Sequence, residues 1–174
     1  MFKEERTEPK FDWSWLGDIR EGRPNLGTMT EVTTYRLMQF TLRDTLIRYF
    51  GVEKADRAFY EAGEEAGRVY YDHGITKKGS LNDFIADLQE TLKTLRIGVL
   101  KVEKADLDKL MFTLTVAEDL DCSGIPVCSE QICTYDEGFI AGLISQHTGK
   151  KFIAKEVDCW CSGDRVCRFD VRLA

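Results

Sequence analysis

The stretch that decides the fold lies near the end of the chain and reads Glu156-Val-Asp-Cys159-Trp-Cys161-Ser-Gly-Asp-Arg-Val-Cys167. Ser-Gly-Asp is a turn signal between two segments with the residue types of strands, so this stretch predicts a β-hairpin. Cys133 lies upstream, separated from Glu156 by 22 residues. Three potential thiolates and a carboxylate at these spacings indicate a four-ligand metal site, with one ligand from upstream and three from the hairpin.

Zinc is the metal that this donor set favours. Thiolates are soft ligands, and a carboxylate oxygen is also acceptable to zinc. Four protein ligands complete a tetrahedron and leave no position for water, so we expect a structural site rather than a catalytic one. The alternative is that these are ordinary buried cysteines, which behave as small hydrophobic residues, with Glu156 on a solvated strand.

The hairpin motif, together with Cys133 and Gly138-Phe-Ile-Ala-Gly142, resembles the 4-vinyl reductase domain family. The resemblance is strong over residues 118–172 and extends only as a pattern over residues 30–117. It implies that a zinc ion is held by Cys133, Glu156, Cys159 and Cys167. One departure from the family pattern is Cys161, an extra thiol that can compete with Glu156 for its ligand position.

The rest of the chain changes from helical to strand periodicity. Apolar residues at steps of three and four predict helices over residues 32–50, 53–73, 81–96 and 131–147. Strands are predicted over residues 98–104, 109–118, 151–159 and 166–173. This order, ααα-ββ-α-ββ, indicates an α+β domain with an antiparallel sheet covered by helices. The resemblance implies the same fold, the ligand-binding fold of nitric-oxide signalling and Golgi-transport proteins.

Two segments are expected, an N-terminal arm over residues 1–30 and a ligand-binding domain over residues 31–174. The arm carries Trp13 and Trp15 beside Gly, Pro and Asn turn signals. Because exposed indoles are costly, we expect them to anchor the arm on the domain or on a second subunit.

Two of the predicted helices have distinctive faces. The first has an apolar stripe made of Tyr35, Met38, Leu42, Leu46 and Tyr49. The second has small residues on one face, namely Ala62, Gly63, Ala66 and Gly67. Glycine costs roughly 1 kcal/mol relative to alanine inside a helix, so the small face indicates a close approach, either by a neighbouring helix or by a ligand.

The segment between Glu118 and Glu130 is predicted to be a loop that holds Cys122 and Cys128. A loop of this length can act as a lid over a ligand. The two thiols are spare donors, and we expect neither of them to bind the metal of the main site.

Composition excludes several classes of function. The net charge of −6 and the pI near 5.1 argue against a surface that binds nucleic-acid phosphates. No apolar run approaches 18 residues, and no basic-then-apolar leader is seen. We therefore expect a cytoplasmic protein with no membrane segment, whose six cysteines are reduced and free to bind metal.

The predicted function is that of a zinc-stabilised domain that binds or senses an apolar or aromatic small molecule between its helices and its sheet. Candidate wall residues lie on or beside the apolar faces: Phe40, Phe59, Tyr60, Tyr70, Phe84, Leu88 and Phe112. Sensor members of the family are dimeric, which implies a homodimer. The signal is expected to pass through dimerisation or a separate regulatory partner.

Two other functions stay open. The chain could be an accessory or an enzyme of tetrapyrrole 4-vinyl reduction, which predicts a larger pocket, or an assembly scaffold, which predicts a filled core and a broad apolar face. No Gly-rich phosphate loop and no Ser/His/Asp order indicates catalysis. His73 and His147 lie at predicted helix ends, where an imidazole suits the C-terminal helix dipole.

Overall fold

The computed structural model describes residues 11–128 and 130–174. The chain divides into two compact units, residues 1–30 and residues 31–174. The described part of the first unit holds a 3-10 helix, Trp13–Leu16, and a one-turn helix α1, Ile19–Gly22. The side chains of Asp12 and Asp18 cap these turns, because each accepts a hydrogen bond from a backbone N–H that lacks a helical partner.

The second unit contains longer helices and a four-stranded sheet. The helices are α2 (Val32–Phe50), α3 (Val52–Gly74), α4 (Leu81–Thr94) and α5 (Thr134–Thr148), and the strands are β1 (Val99–Asp106), β2 (Met111–Ala117), β3 (Phe152–Asp158) and β4 (Val166–Leu173). The sheet order is β1-β2-β4-β3, and every neighbouring pair is antiparallel. The predicted α+β class and the predicted order of helices and strands are confirmed.

The core lies between one face of the sheet and the helices α4 and α5. Alternate residues of β2 point into it, and Leu114 pairs in register with the buried Phe169 of β4. Phe84, Leu88 and Leu92 recur at helical spacing and form the buried side of α4. A capping box between Ser80 and Asp83 starts this helix.

The small residues of α3 pack against α5. A Cβ atom added to Gly63 or to Gly67 would lie 2.9 Å from the amide nitrogen of Phe139 or of Leu143, respectively, and closer still to a backbone carbonyl. Gly138 of α5 has the reciprocal relation to α3, because a Cβ there would lie 2.7 Å from the amide nitrogen of Glu64. The close approach predicted from these small residues is therefore made by a helix backbone and not by a ligand.

The helix α2 is held by polar contacts rather than by its apolar stripe. Met38 and Tyr49 of that stripe are 63% and 71% exposed, whereas the polar Gln39 is buried. Tyr35, Arg36 and Gln39 bond to the loop that follows β2. Among the helices of the described residues, none is long and apolar enough to cross a membrane.

Candidate metal centre and ligand cavity

Three of the predicted metal ligands meet in the core. Cys133 is the N-terminal cap residue of α5, Cys159 directly follows β3, and Cys167 lies in β4. All three side chains are completely buried. The Sγ atom of Cys133 lies 3.8 Å from Sγ of Cys159 and 3.7 Å from Sγ of Cys167.

A fourth thiol joins this cluster from the loop after β2. Sγ of Cys122 lies 3.1 Å from Sγ of Cys167, and the four sulfur atoms of Cys122, Cys133, Cys159 and Cys167 all lie within 4.8 Å of one another. The expectation that Cys122 stays away from the main site disagrees with this position. We call these four residues the thiol cluster.

The spacing of the thiol cluster fits a tetrahedral zinc ion. A Zn–S bond of about 2.3 Å gives a tetrahedron whose edges are about 3.8 Å. The separations of 3.8 Å and 3.7 Å from Cys133 match that edge, and the shorter Cys122 to Cys167 separation needs only a small expansion. Four buried thiols around one point are the donor chemistry of a closed, structural zinc site.

Glu156 is a fifth donor at the edge of the thiol cluster. Its side chain is buried, and Oε2 accepts a hydrogen bond from the backbone N–H of Cys133 at 3.3 Å. Its other oxygen, Oε1, is buried and has no hydrogen-bond partner among the described residues. Burial, followed by the negative charge of Cys159, raises the pKa of Glu156 to about 8. Cys122 and Glu156 are thus two candidates for one ligand position.

The other two cysteines are placed differently. Cys161 is buried in a 3-10 helix, Trp160–Ser162, outside the thiol cluster. Cys128 is exposed, and its backbone N–H donates to the carbonyl oxygen of Cys161 at 2.9 Å. This contact ties the loop after β2 to the terminal hairpin.

Hydrogen bonds within the thiol cluster divide the sulfur atoms by acidity. Bonds from Cys122, Cys133 and Cys167 lower the pKa of the Cys159 thiol well below its usual range. Bonds within the same cluster raise the pKa values of Cys133 and Cys167. Cys159 is therefore the thiol that ionises first and the natural starting point for metal binding.

An apolar cavity of about 30 Å³ lies beside the thiol cluster, between α4, α5 and the sheet. Apolar side chains form most of its wall: Leu88, Leu92, Ile97, Leu100, Leu114, Val116, Phe139, Ile140, Leu143 and Ile144. A second cavity of about 20 Å³ shares Leu88, Leu100, Leu114 and Ile144 with the first. Of the predicted wall residues, Leu88 lines both cavities and Phe84 and Phe112 line the second, whereas Phe40, Phe59, Tyr60 and Tyr70 line neither.

Two carboxylates complete the wall of the first cavity at one end, those of Asp119 and Asp136. Oδ1 of Asp119 accepts the backbone N–H groups of Asp121 and Cys122, at 2.8 and 3.2 Å. Burial, followed by the charge of Asp121, raises the pKa of Asp119 to about 7. The same two causes raise the pKa of Asp136 well above its usual range.

The loop that carries Asp119 and Cys122 is positioned by α2. Tyr35 Oη and Gln39 Nε2 donate to the two carboxylate oxygens of Asp121, at 2.8 and 2.7 Å. Arg36 donates to backbone carbonyl oxygens of the same loop. One short segment therefore supplies a wall of the cavity, a thiol of the cluster and the attachment of α2.

The two histidines lie in the last turns of their helices, His73 in α3 and His147 in α5. The ring of His147 stacks on Phe84 with the ring centroids 4.4 Å apart, and its Nδ1 lies 3.2 Å from Tyr71 Oη. Burial lowers the pKa of His147.

The C-terminal part of the domain matches a known sequence family. Residues 112–173 fit the family model of the vinyl-4-reductase domain. The matched region runs from β2 to β4 and contains the whole thiol cluster together with Glu156. The match confirms the family resemblance predicted from the hairpin motif.

Two uncharacterized proteins of Methanocaldococcus jannaschii are similar over most of the chain. MJ1642 is 26% identical over 148 residues, which are 85% of this chain and 81% of that protein. MJ0150 is 24% identical over 158 residues, which are 91% of this chain and 86% of that protein.

Three solved structures share the fold. A vinyl-4-reductase family protein from Methanocaldococcus jannaschii has a TM-score of 0.61 and 18% identity, over 97% of this chain and 99% of its own. The phenol-responsive sensory domain of the transcription activator PoxR, solved with phenol, has a TM-score of 0.63 and 15% identity over 84% and 76%. Trafficking protein particle complex subunit 3 from Naegleria fowleri, solved covalently bound to palmitic acid, has a TM-score of 0.65 and 13% identity over 82% and 95%. These likenesses confirm the predicted fold.

Proposed function

We propose that this chain is a metal-stabilised domain that binds or senses a small apolar or aromatic molecule in the cavity between α4, α5 and the sheet. The observation that carries the proposal is the apolar cavity beside the thiol cluster, with the segment from Asp119 to Cys122 common to both. The fold it shares with a phenol-responsive sensory domain supports the same function.

A ligand the size of one aromatic ring requires the cavity wall to move. A cavity of about 30 Å³ holds roughly two water-sized groups. Because Leu88, Leu100, Leu114 and Ile144 line both cavities, rotation of these side chains would join the two spaces. Volumes this small favour a single-ring ligand over a tetrapyrrole.

The exposed stripe of α2 is the surface through which binding can be transmitted. Leu37, Met38 and Tyr49 are each more than 60% exposed on this helix, and apolar surface of this kind is typical of interfaces. We propose that a homodimer or a regulatory partner covers it. Since α2 also holds the Asp119 to Cys122 loop, movement of the cavity wall would reach this surface.

The metal in this proposal is a structural zinc ion in a cytoplasmic protein. Cys133, Cys159 and Cys167 are ligands, and the fourth is Cys122, whose sulfur shares the tetrahedral spacing, or Glu156, as the family resemblance implies. Zinc supplies no chemistry here beyond joining the loop, the start of α5 and the terminal hairpin. Unpaired thiols this close together suit a reducing compartment.

Native mass spectrometry of protein purified without chelator tests the metal. We expect about one zinc per chain in the wild type and its loss in Cys159→Ser. The matched control is Cys161→Ser, a buried thiol two residues away that should retain the metal. Comparing Cys122→Ser with Glu156→Gln decides the fourth ligand, because only the true ligand's variant should lose zinc. Metal-free wild type, or equal loss from Cys161→Ser, would contradict the zinc site.

The same spectra and a ligand titration test the function. We expect a co-purified small molecule, or saturable shifts of the Leu88 and Leu114 methyl resonances when 1,4-dimethylbenzene or 4-methylphenol is added. A protein with no bound mass and no methyl shifts with either compound would contradict the ligand-binding function while leaving the metal result intact.

A further inference from the structure

We propose that the ligand of this cavity carries a hydrogen-bond donor, a hydroxyl or an amine, and that the donor binds the carboxylate of Asp136. This inference rests on the proposed function, because it assigns a chemical class to the molecule that enters the same cavity.

The first support is the position of Asp136. It lies in the first turn of α5 and lines the cavity together with Asp119. A carboxylate oxygen of each residue lies within 4.8 Å of the other. The cavity therefore has an apolar body and one acidic end, which is the arrangement that orients a ligand with an apolar ring and one polar group.

The second support is an unpaired oxygen. Oδ2 of Asp136 is buried and has no hydrogen-bond partner among the described residues. A buried carboxylate oxygen without a donor costs free energy, so such groups nearly always have a partner. A donor on the ligand would supply the missing hydrogen bond.

The neighbouring carboxylates differ in this respect. Both oxygens of Asp121 accept bonds from α2, and Oδ1 of Asp119 accepts two backbone N–H groups. These acids hold the loop in place and need no ligand. Asp136 is the member of the group that lines the cavity without serving the loop.

The acidic end also predicts what the cavity rejects. Asp119, Asp121 and Glu156 all contribute negative potential at Asp136. A ligand whose polar group is a carboxylate would bring a like charge to this end and offer no donor. We expect an aromatic alcohol or amine to bind and an aromatic acid to be excluded.

Three probes that share a methylbenzene body test this inference: 4-methylphenol, 1,4-dimethylbenzene and 4-methylbenzoate. Affinities are measured by methyl NMR titration of the zinc-loaded full chain. We expect 4-methylphenol to bind roughly tenfold more tightly than 1,4-dimethylbenzene, which is the size of effect expected of one buried hydrogen bond. We expect 4-methylbenzoate to bind more weakly than either.

The variant Asp136→Leu should abolish the preference for 4-methylphenol and leave the affinity for 1,4-dimethylbenzene unchanged or higher. Asp44→Leu, which removes an exposed carboxylate on α2, is the matched control and should keep the wild-type preference. If Asp136→Leu does not fold, the preference among the three probes in the wild type still decides the matter.

Several results would overturn the inference. Equal affinities for 4-methylphenol and 1,4-dimethylbenzene would do so while leaving the proposed function standing. Tighter binding of 4-methylbenzoate would show the opposite polarity. Loss of zinc from Asp136→Leu would assign its oxygen to the metal instead of a ligand. If no probe binds, the inference and the proposed function fail together.

Discussion

The helix α5 has two faces that are packed in opposite ways. Toward α3, glycines on both helices bring backbone against backbone, so that no space for even one methyl group is left. Toward α4 and the sheet, large apolar side chains meet around two small cavities. One helix is thus fixed to the domain on one side and borders adjustable space on the other.

The difference explains how a small domain can be stable and still admit a ligand. Backbone contacts between helices cannot rearrange by side-chain rotation, whereas leucine and isoleucine side chains around a cavity can. The α3 side holds α5 in position, and the thiol cluster at Cys133 holds its first turn. Changes on ligand binding are therefore expected at α4 and at the loop after β2.

The largest effect is expected from a methyl group on the close side. In Gly67→Ala the new Cβ would lie 2.9 Å from the amide nitrogen of Leu143, so the helices would have to separate. We expect a loss of about 2 kcal/mol or more in the free energy of unfolding, despite the better helix propensity of alanine. Denaturant unfolding measures it.

The control for Gly67→Ala is Gly79→Ala, where a Cβ would lie 3.5 Å from Asp83 Oδ2, an ordinary contact. We expect its unfolding free energy to stay within about 0.5 kcal/mol of the wild type. If the two variants are equally stable, the close side is not as tight as described.

A methyl group on the cavity side should have a smaller effect of the opposite sign. Val116→Ile adds one methylene where Val116 lines the first cavity, and we expect a gain of up to about 0.8 kcal/mol. It should also weaken 1,4-dimethylbenzene binding. The matched control is Val171→Ile, because Val171 is buried outside the walls of both cavities and should lose about 1 kcal/mol. Equal losses in both variants would mean that the cavity cannot accept a methylene.

The smallest effect is a pH dependence at the C-terminal end of α5. Burial lowers the pKa of His147 below its ordinary value of 6.5, so below that pH the unfolded chain takes up a proton that the folded chain resists. Stability should therefore fall as the pH drops from 6.5 toward the folded pKa, and His147→Gln should remove this part of the slope. Parallel stability curves for the two proteins between pH 7 and 5 would contradict the assignment.

Much of this could be predicted from local sequence patterns. The helix and strand order follows from periodicity, and the meeting of Cys159 and Cys167 follows from one hairpin. The stripe of α2 shows the limit, because helical spacing indicates an apolar face without saying what covers it. Tyr35, Arg36 and Gln39 instead bond to a loop more than 80 residues away in the chain.

Short-range patterns thus determined the elements, the hairpin and the small face of α3, because these depend on residues close together in the chain. The tertiary structure alone decided that Cys122 joins the thiol cluster, that α5 is what packs against the glycines, and that Asp136 borders a cavity. Each of these depends on distances between segments remote in sequence, which residue spacing along the chain does not encode.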